Sequence, residues 1–232
     1  MEFKKGFTLA EVLITLVIIG VIAAMTIPTL INKTNEQETV TAVKKAYSVI
    51  SQAYQKIIAE NGEIIPSTLG ENATEGTKTL GEMFQKQLNV LKVCGQETGE
   101  DCWSTENEGL YKFFNGSDWY TWNNSVEYYK LRLNDGMSVG VKSYMTYSNV
   151  GSSESLKNAI GDVYFDINGD KGPNTLGKDT FAFWITKYGV IPIGTPDDTT
   201  LPFSSCYISG WGCTAWITTK GNMDYLRNPV SW

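Results

Sequence analysis

The chain has 232 residues, a formal net charge of −6 and no histidine. The absence of histidine excludes Ser-His-Asp and Cys-His catalysis, and it also excludes zinc sites with histidine ligands. The acidic balance offers no basic face for nucleic acid, so nucleic acid is not an expected partner. About 200 residues remain once the first 31 are set aside, which is enough for one ordinary domain.

The N-terminal segment is apolar over a membrane-spanning length. Residues 1–6 are short and charged, and the apolar run at 7–31 contains one charged residue, Glu11. A run of this length can cross a hydrocarbon core as a helix. Lys4 and Lys5 precede it, so the positive-inside rule predicts a cytoplasmic N-terminus with the remaining chain outside. A cleaved secretory signal and a plain membrane anchor are the alternatives; the first has a shorter apolar region, and the second leaves Glu11 unexplained.

The stretch from Lys5 to Leu13 resembles the class III prepilin leader of type IV pilins and type II secretion pseudopilins. The resemblance implies that a prepilin peptidase cleaves between Gly6 and Phe7 and N-methylates the new terminal Phe7. Glu11 then becomes the fifth residue of the mature chain, where this family keeps a glutamate. Pro28 falls where many helices of the family carry a kink-forming proline.

The resemblance also implies a role in assembly for Glu11, the isolated carboxylate in the apolar run. A buried carboxylate is stabilised by a nearby cation. The new amine of Phe7, from the same chain or from a neighbour in a filament, supplies one. Pairing of Glu11 with the amine of the next subunit would set the stagger between subunits. The expected partners are therefore the prepilin peptidase, other pilin or pseudopilin subunits and an inner-membrane assembly platform.

A helical pattern continues beyond the apolar run. Apolar residues recur at alternating spacings of three and four, and Asn61-Gly62 supplies a stop signal. We predict that residues 32–61 form the amphipathic half of one long helix, lying against a globular head at 62–232. A second, short helix is predicted around 79–92, with Thr79 as a candidate cap. The apolar stripe of the long helix comprises Val40, Val43, Tyr47, Ile50, Tyr54 and Ile57.

Several short segments of the head alternate apolar and polar residues, which is typical of antiparallel strands. The clearest hairpin joins 128–133 to 137–141 through the turn Asn134-Asp135-Gly136. We expect a meander of about four or five antiparallel strands packed on the long helix. The predicted fold class is therefore α+β, with the architecture of a type IV pilin. The further strands are predicted at 163–167, 181–185 and 190–193.

The four cysteines fall as two close pairs in a part of the chain expected outside the cytoplasm, where disulfides persist. Three pairings are open. We favour Cys94–Cys102 and Cys206–Cys213 because each closes a short loop, and the family resemblance also permits a disulfide-bounded loop near the C-terminus. A four-thiolate zinc site needs about two to four residues between ligands, a spacing that neither pair has.

One loop of the head carries oxygen ligands in an alternating pattern similar to the opening of an EF-hand calcium loop. Lys171 stands at the EF-hand glycine position and Gly177 at the glutamate position, so a true EF-hand is not expected. Two interpretations stay open: a looser calcium site, and a polar hairpin loop in which Asp, Asn and Gly accept turn geometry. The candidate calcium ligands are Asp166, Asn168, Asp170 and Asp179.

Taken together, these features favour a structural role. We predict a subunit of a type II secretion pseudopilus or a type IV pilus, held in the bacterial inner membrane with its head outside and then assembled into an extracytoplasmic filament. The alternative is a minor pilin that acts as an adhesion or uptake module at the filament tip. The aromatic-rich stretch at 103–122 would supply an adhesive surface, although core packing is the simpler interpretation. No pair of acids is singled out as catalytic, so an enzyme is not expected.

Overall fold

The computed structural model describes residues 7–99, 101–104 and 110–232. The predicted leader, including Gly6 of the cleavage site, therefore lies outside the described residues. The chain divides into two units, with the boundary between Glu38 and Thr39. Helix α1 spans Leu9–Asn61 and contains Pro28, so its sequence contributes to both units.

The first unit is an apolar helical segment whose side chains are not covered by the protein. The most apolar 18-residue window of α1 has a mean hydropathy of 2.5 and no buried residue, and it is long enough to cross a membrane. The hydroxyls of Thr15, Thr26 and Thr29 donate to carbonyl oxygens three or four residues earlier in the helix. These bonds satisfy the polar groups internally, as a hydrocarbon environment requires.

In the second unit, the remainder of α1 packs against the sheet through one face. The ring of Tyr47 stacks on Phe183 with centroids 5.7 Å apart. The Tyr54 hydroxyl donates to the carbonyl oxygen of Lys187 at 3.2 Å. The prediction that the apolar stripe is a core face is confirmed. The buried residues of this face are Val40, Val43, Ala46, Ile50, Ala53, Tyr54 and Ile57.

The second helix begins earlier than predicted. Helix α2 spans Ala73–Gln87, and the side chain of Asn72 caps it by accepting from the Glu75 N–H at 3.0 Å. The predicted bounds of 79–92 and the predicted cap at Thr79 are therefore wrong. The segment that follows is not helical, because Val90–Gly95 forms an edge strand, β1.

The predicted antiparallel sheet is confirmed, although the predicted number of about four or five strands is too low. The strands after β1 are β2 Leu110–Lys112, β3 Asp118–Thr121, β4 Tyr129–Leu133, β5 Ser138–Ser148, β6 Ala159–Asp166, β7 Thr180–Thr186 and β8 Gly189–Pro192. Within the described residues six strands form the sheet, in the order β1-β4-β5-β6-β7-β8, and every neighbouring pair is antiparallel. A separate two-stranded sheet, β2 paired with β3, was not predicted.

The two faces of the large sheet carry different cores. Because side chains alternate along a strand, Val163 and Phe165 of β6 point to the face that the helices cover, while Tyr164 points to the other. We call these the helical face and the outer face. On the outer face the rings of Trp103 and Trp122 are fully buried and stack with centroids 4.1 Å apart. The aromatic stretch thus contributes to the core, as the simpler interpretation held.

Both favoured disulfides are present, one in each core. Cys94–Cys102 lies in the outer-face cluster, with 6.0 Å between its Cα atoms. Cys206–Cys213 lies in the helical-face cluster, with 4.7 Å between its Cα atoms, and Cys213 begins helix α3 (Cys213–Lys220). Each bridge therefore ties a loop to a buried cluster.

Candidate functional site

The start of α1 is organised by one threonine and one glutamate. The Thr8 N–H and the Thr8 hydroxyl both donate to Glu11 Oε2, each at 2.8 Å. In return the Glu11 N–H donates to Thr8 Oγ1 at 3.3 Å. This reciprocal arrangement is a capping box, which satisfies donors that a helix N-terminus otherwise leaves unpaired.

Thr8 is a site residue that was not predicted from the sequence. The Thr-x-x-Glu spacing directly before an apolar run is the signal that would have found it. The box gives Glu11 a role within its own subunit, in addition to the predicted pairing with a terminal amine. Phe7, which precedes the box, is 88% exposed. The proposed cleavage would therefore create an accessible terminus one residue before the cap.

The loop between β6 and β7 begins and ends at buried carboxylates. Asp166 is fully buried, and its Oδ1 accepts from the N–H groups of Asn168 and Gly169 at 3.1 and 2.9 Å. Its Oδ2 accepts from the hydroxyl of Tyr111 on β2. Gly169 has φ 64°, and a Cβ at this position would clash with Arg132 and with the carbonyl oxygen of Gly136. Sequence and packing thus fix the turn that surrounds Asp166.

Asp179 closes the same loop and is also buried, at 2% exposure. Its Oδ2 accepts from the Asn174 N–H at 2.7 Å and its Oδ1 from the Thr175 N–H at 2.6 Å. The Asn168 side chain lies near enough to this carboxyl to lower its pKa. Two predicted acids, Asp166 and Asp179, and the predicted Asn168 are therefore brought together.

Asp170 is placed elsewhere. Its side chain is 71% exposed, and its Oδ1 accepts from Arg132 Nη2 at 2.6 Å. Within the described residues, no group of three or more acidic, cysteine or histidine side chains is arranged to hold a metal ion. The four predicted ligands are therefore not all gathered at one point, and the alternation of Asp166, Asn168 and Asp170 does not produce an EF-hand arrangement.

The two buried acids influence each other electrostatically. Burial, and then the negative charge of Asp179, together raise the pKa of Asp166 to about 8, against the hydrogen bond from Tyr111. Burial also raises the pKa of Asp179 to about 6, although the N–H groups of Thr175 and Asn174 lower it. A positive charge or a proton between these carboxyls would relieve the repulsion.

Comparison with known proteins identifies the N-terminal segment. Residues 2–27 match the family model of the prokaryotic N-terminal methylation motif. This motif is the signal of type IV pilins and pseudopilins, so the chain carries the class III leader that its sequence resembles. No curated protein and no solved structure matches the chain. The apolar helix and the motif are together consistent with a membrane-anchored pilin.

Proposed function

We propose that this chain is a structural subunit of a type II secretion pseudopilus or a type IV pilus, with no catalytic activity of its own. A prepilin peptidase cleaves it after Gly6 and methylates Phe7, and the apolar helix then joins those of other subunits. The observation that carries the proposal is the motif match over residues 2–27, which ends within an apolar helix that the protein itself does not bury.

The burial pattern supports assembly through this helix. Leu13, Ile18 and Ile19 point in different directions around α1, and each is more than half exposed. A helix that is apolar on all sides needs an apolar environment. Lipid supplies that environment before assembly, with the N-terminus cytoplasmic and the head outside. Neighbouring helices supply it inside a filament.

The capping box refines the role of Glu11. Its Oε2 accepts two bonds from Thr8, so the carboxylate is held within one turn of the proposed new terminus at Phe7. A negative charge at the start of a helix is also favoured by the helix dipole. We propose that Thr8 positions the Glu11 carboxylate and that the charge pairs with the methylated amine of Phe7 in the same or a neighbouring subunit. Pro28, which has no N–H, is proposed to let the helix bend during assembly.

Variants at Glu11 and Thr8 distinguish the effect of the Glu11 charge from the effect of the helix cap. Glu11→Gln keeps an oxygen that can accept from Thr8 but removes the charge. We expect processing at Phe7 to continue and the filament fraction to fall at least about tenfold, as for Glu11→Ala. Thr8→Ser keeps the cap and serves as the matched control, with a filament fraction close to wild type. Mass spectrometry of sheared filaments and of the membrane fraction measures both the terminus and the amount.

Two outcomes would count against this function. Glu11→Gln filaments in wild-type amount would show that the charge does not direct assembly. Native filaments that lack this chain, or that contain it with Met1 intact, would remove the structural role itself. The same measurement gives stoichiometry: a major subunit is abundant along the filament, whereas a minor, tip-located pilin is rare.

A further inference from the structure

Strand β1 lies at one edge of the large sheet and carries exposed aliphatic side chains. Leu91 and Val93 are 66% and 44% exposed, and Val126, in the connection before β4, is 55% exposed. The register of β1 against β4 shifts in two places, and Lys92 is also exposed. Because bulges and edge lysines hinder the pairing of a further strand, we expect this edge to make contacts through its side chains.

The loop that follows β1 adds negative charge to this edge. The disulfide between Cys94 and Cys102 closes it, and residues 95–101 include three acidic residues and no basic one. The side chains of Glu97 and Asp101 are exposed. We call the acidic edge the surface formed by Leu91, Val93, Val126, Glu97 and Asp101.

A buried lysine holds the acidic edge in place. Lys130 of β4 is fully buried, and its ammonium group donates to the carbonyl oxygens of Glu97 at 2.5 Å and Ser125 at 2.7 Å. The Gln96 side chain donates to the carbonyl oxygen of Val126 at 3.1 Å. These bonds tie the disulfide-closed loop to the connection before β4. A surface that is ordered before binding loses less entropy on association.

Helix α3 and the C-terminal residues lie at the other edge of the sheet. The Ala215 N–H of α3 donates at 2.9 Å to the carbonyl oxygen of Ile193, the residue that follows β8 in sequence by one position. The ring of Trp232 lies 5.6 Å from that of Trp216 on α3. Since β8 and β1 are the two ends of the described strand order, this surface and the acidic edge are on opposite edges of the head.

This second surface is cationic and aromatic. The Lys220 ammonium group lies over the rings of Trp216 and Trp232, at 5.5 and 5.3 Å from their centroids. The Lys44 Nζ lies 3.1 Å from the position that a Cβ on Gly221 would occupy, so a second ammonium group borders the same end of α3. Trp232 is 40% exposed. We call the cationic end the surface formed by Lys44, Lys220 and Trp232.

We propose that the acidic edge of one head binds the cationic end of the head of a second copy of this chain, with Glu97 facing Lys220. The two surfaces are complementary in charge, and each also has exposed apolar area that contact would bury. This contact rests on the proposed function, because it joins neighbouring subunits of a filament.

The position of the two surfaces favours a second copy as the partner. Because they lie on opposite edges of one sheet, the contact is head-to-tail and can repeat along an open polymer, whereas a contact between two identical surfaces stops at a dimer. Each contact can be weak on its own. The apolar helices already hold neighbouring heads together, which makes the effective concentration of one head near the next high.

Charge reversal in the full-length chain tests the contact. Glu97→Lys and Lys220→Glu should each lower the filament fraction about tenfold, because like charges then face each other. Both reversals in one chain should restore that fraction to within about twofold of wild type. Lys178→Glu is the matched control and should assemble normally, since its ammonium group also lies over an aromatic ring, that of Phe114, but outside both surfaces. Mass spectrometry of sheared filaments and of the membrane fraction measures the amounts.

Cross-linking gives a second measurement that does not depend on how well the reversals assemble. The four native cysteines form disulfides, so cysteines placed at Glu97 and Lys220 supply the reactive thiols. A short bismaleimide added to intact filaments of the Glu97→Cys and Lys220→Cys double variant should produce a ladder of covalent oligomers. Each single variant should remain monomeric under the same treatment.

The outcomes distinguish the contact from the proposed function. If the double reversal assembles as poorly as the single ones and no ladder forms, while filaments still contain this chain beginning at methylated Phe7, the contact is wrong and the function stands. Native filaments that lack the chain would overturn both. If Lys220→Glu is lost from vesicles containing anionic lipid and Glu97→Lys does not restore assembly, the cationic end binds lipid headgroups, which would contradict a contact between heads.

Discussion

The two faces of the large sheet are filled by different kinds of side chain. The helical face is filled by aliphatic and phenyl side chains, such as Val139, Val163 and Phe183, each fully buried. The outer face is filled by indole and phenol rings, and it also buries the carboxyls of Asp162 and Asp166. The first face is stabilised mainly by apolar packing. The second also depends on specific partners for each buried polar group.

Removing a large apolar side chain from the helical face should have the largest effect on stability. Phe183 is fully buried between the ring of Tyr47 and that of Phe165. We expect Phe183→Ala to lower the free energy of unfolding by about 3–5 kcal/mol, since it removes buried area and leaves a cavity. Urea denaturation of the full-length protein in detergent measures the change.

Phe183→Leu is the matched control for that prediction. It keeps an apolar side chain of similar length and should be less destabilising than Phe183→Ala, by at least about 1 kcal/mol. A loss below about 1 kcal/mol in Phe183→Ala itself would show that the helical face is loosely packed and would contradict the contrast between the two faces.

The same contrast explains which parts of the fold could be predicted. Apolar and polar residues alternate along the strands that carry Val139, Val163 and Phe183, and Asn134-Asp135-Gly136 is a strong turn signal. The hairpin, the sheet and the core stripe could therefore be predicted from the sequence pattern. The helix end at Asn61 also followed, because Gly62 adopts φ 77°. These features depend on local propensity and on one apolar face.

The outer face could not be predicted in the same way. Tyr111 lies in a three-residue strand, and its position depends on a bond to Asp166 that is 55 residues away in sequence. No sequence signal singles out Asn174, since its side chain bonds Ser104, which is 70 residues away in sequence. The Asn72 and Thr8 caps are different, because both had a readable signal in a glutamate three residues later.

The disulfides give a second, smaller test of the difference between the faces, because each face has one. Replacing Cys206 and Cys213 together by alanine should lower the free energy of unfolding by about 2–3 kcal/mol, through the lost loop closure. The Cys94 and Cys102 double-alanine variant should lose a similar amount, since its loop is of nearly the same length. Non-reducing gels verify the bridges in the wild type, and urea denaturation compares both variants.

Similar losses would show that chain connectivity, and not the type of core, determines the value of each bridge. A loss more than about 2 kcal/mol greater for the Cys206 and Cys213 pair would instead show that this bridge also supports the neighbouring loop around Gly177. A negligible loss for both pairs would contradict the prediction, because it would mean that neither loop is ordered by its bridge.

The smallest predicted effect concerns Asp162, on the outer face, and depends on pH. Burial, with a smaller contribution from the charge of Glu127, raises the pKa of Asp162 to about 6, against the hydrogen bond from Tyr144 and the charge of Lys142. An unfolded aspartate has a pKa near 4. The folded protein therefore binds the proton more tightly, and the stability contributed by this group falls as the pH rises from about 4 to 6.

Asp162→Asn removes that fall, because an amide does not ionise in this range. Relative to wild type, the variant should gain about 1–2 kcal/mol between pH 4 and pH 7, measured as the difference in unfolding free energy at each pH. The exposed Asp118→Asn variant is the control and should differ from wild type by less than about 0.5 kcal/mol throughout. If the difference in unfolding free energy between Asp162→Asn and wild type does not change with pH, the buried carboxyl is neutralised by a partner in the folded protein. The outer face would then resemble the helical face more closely than its composition indicates.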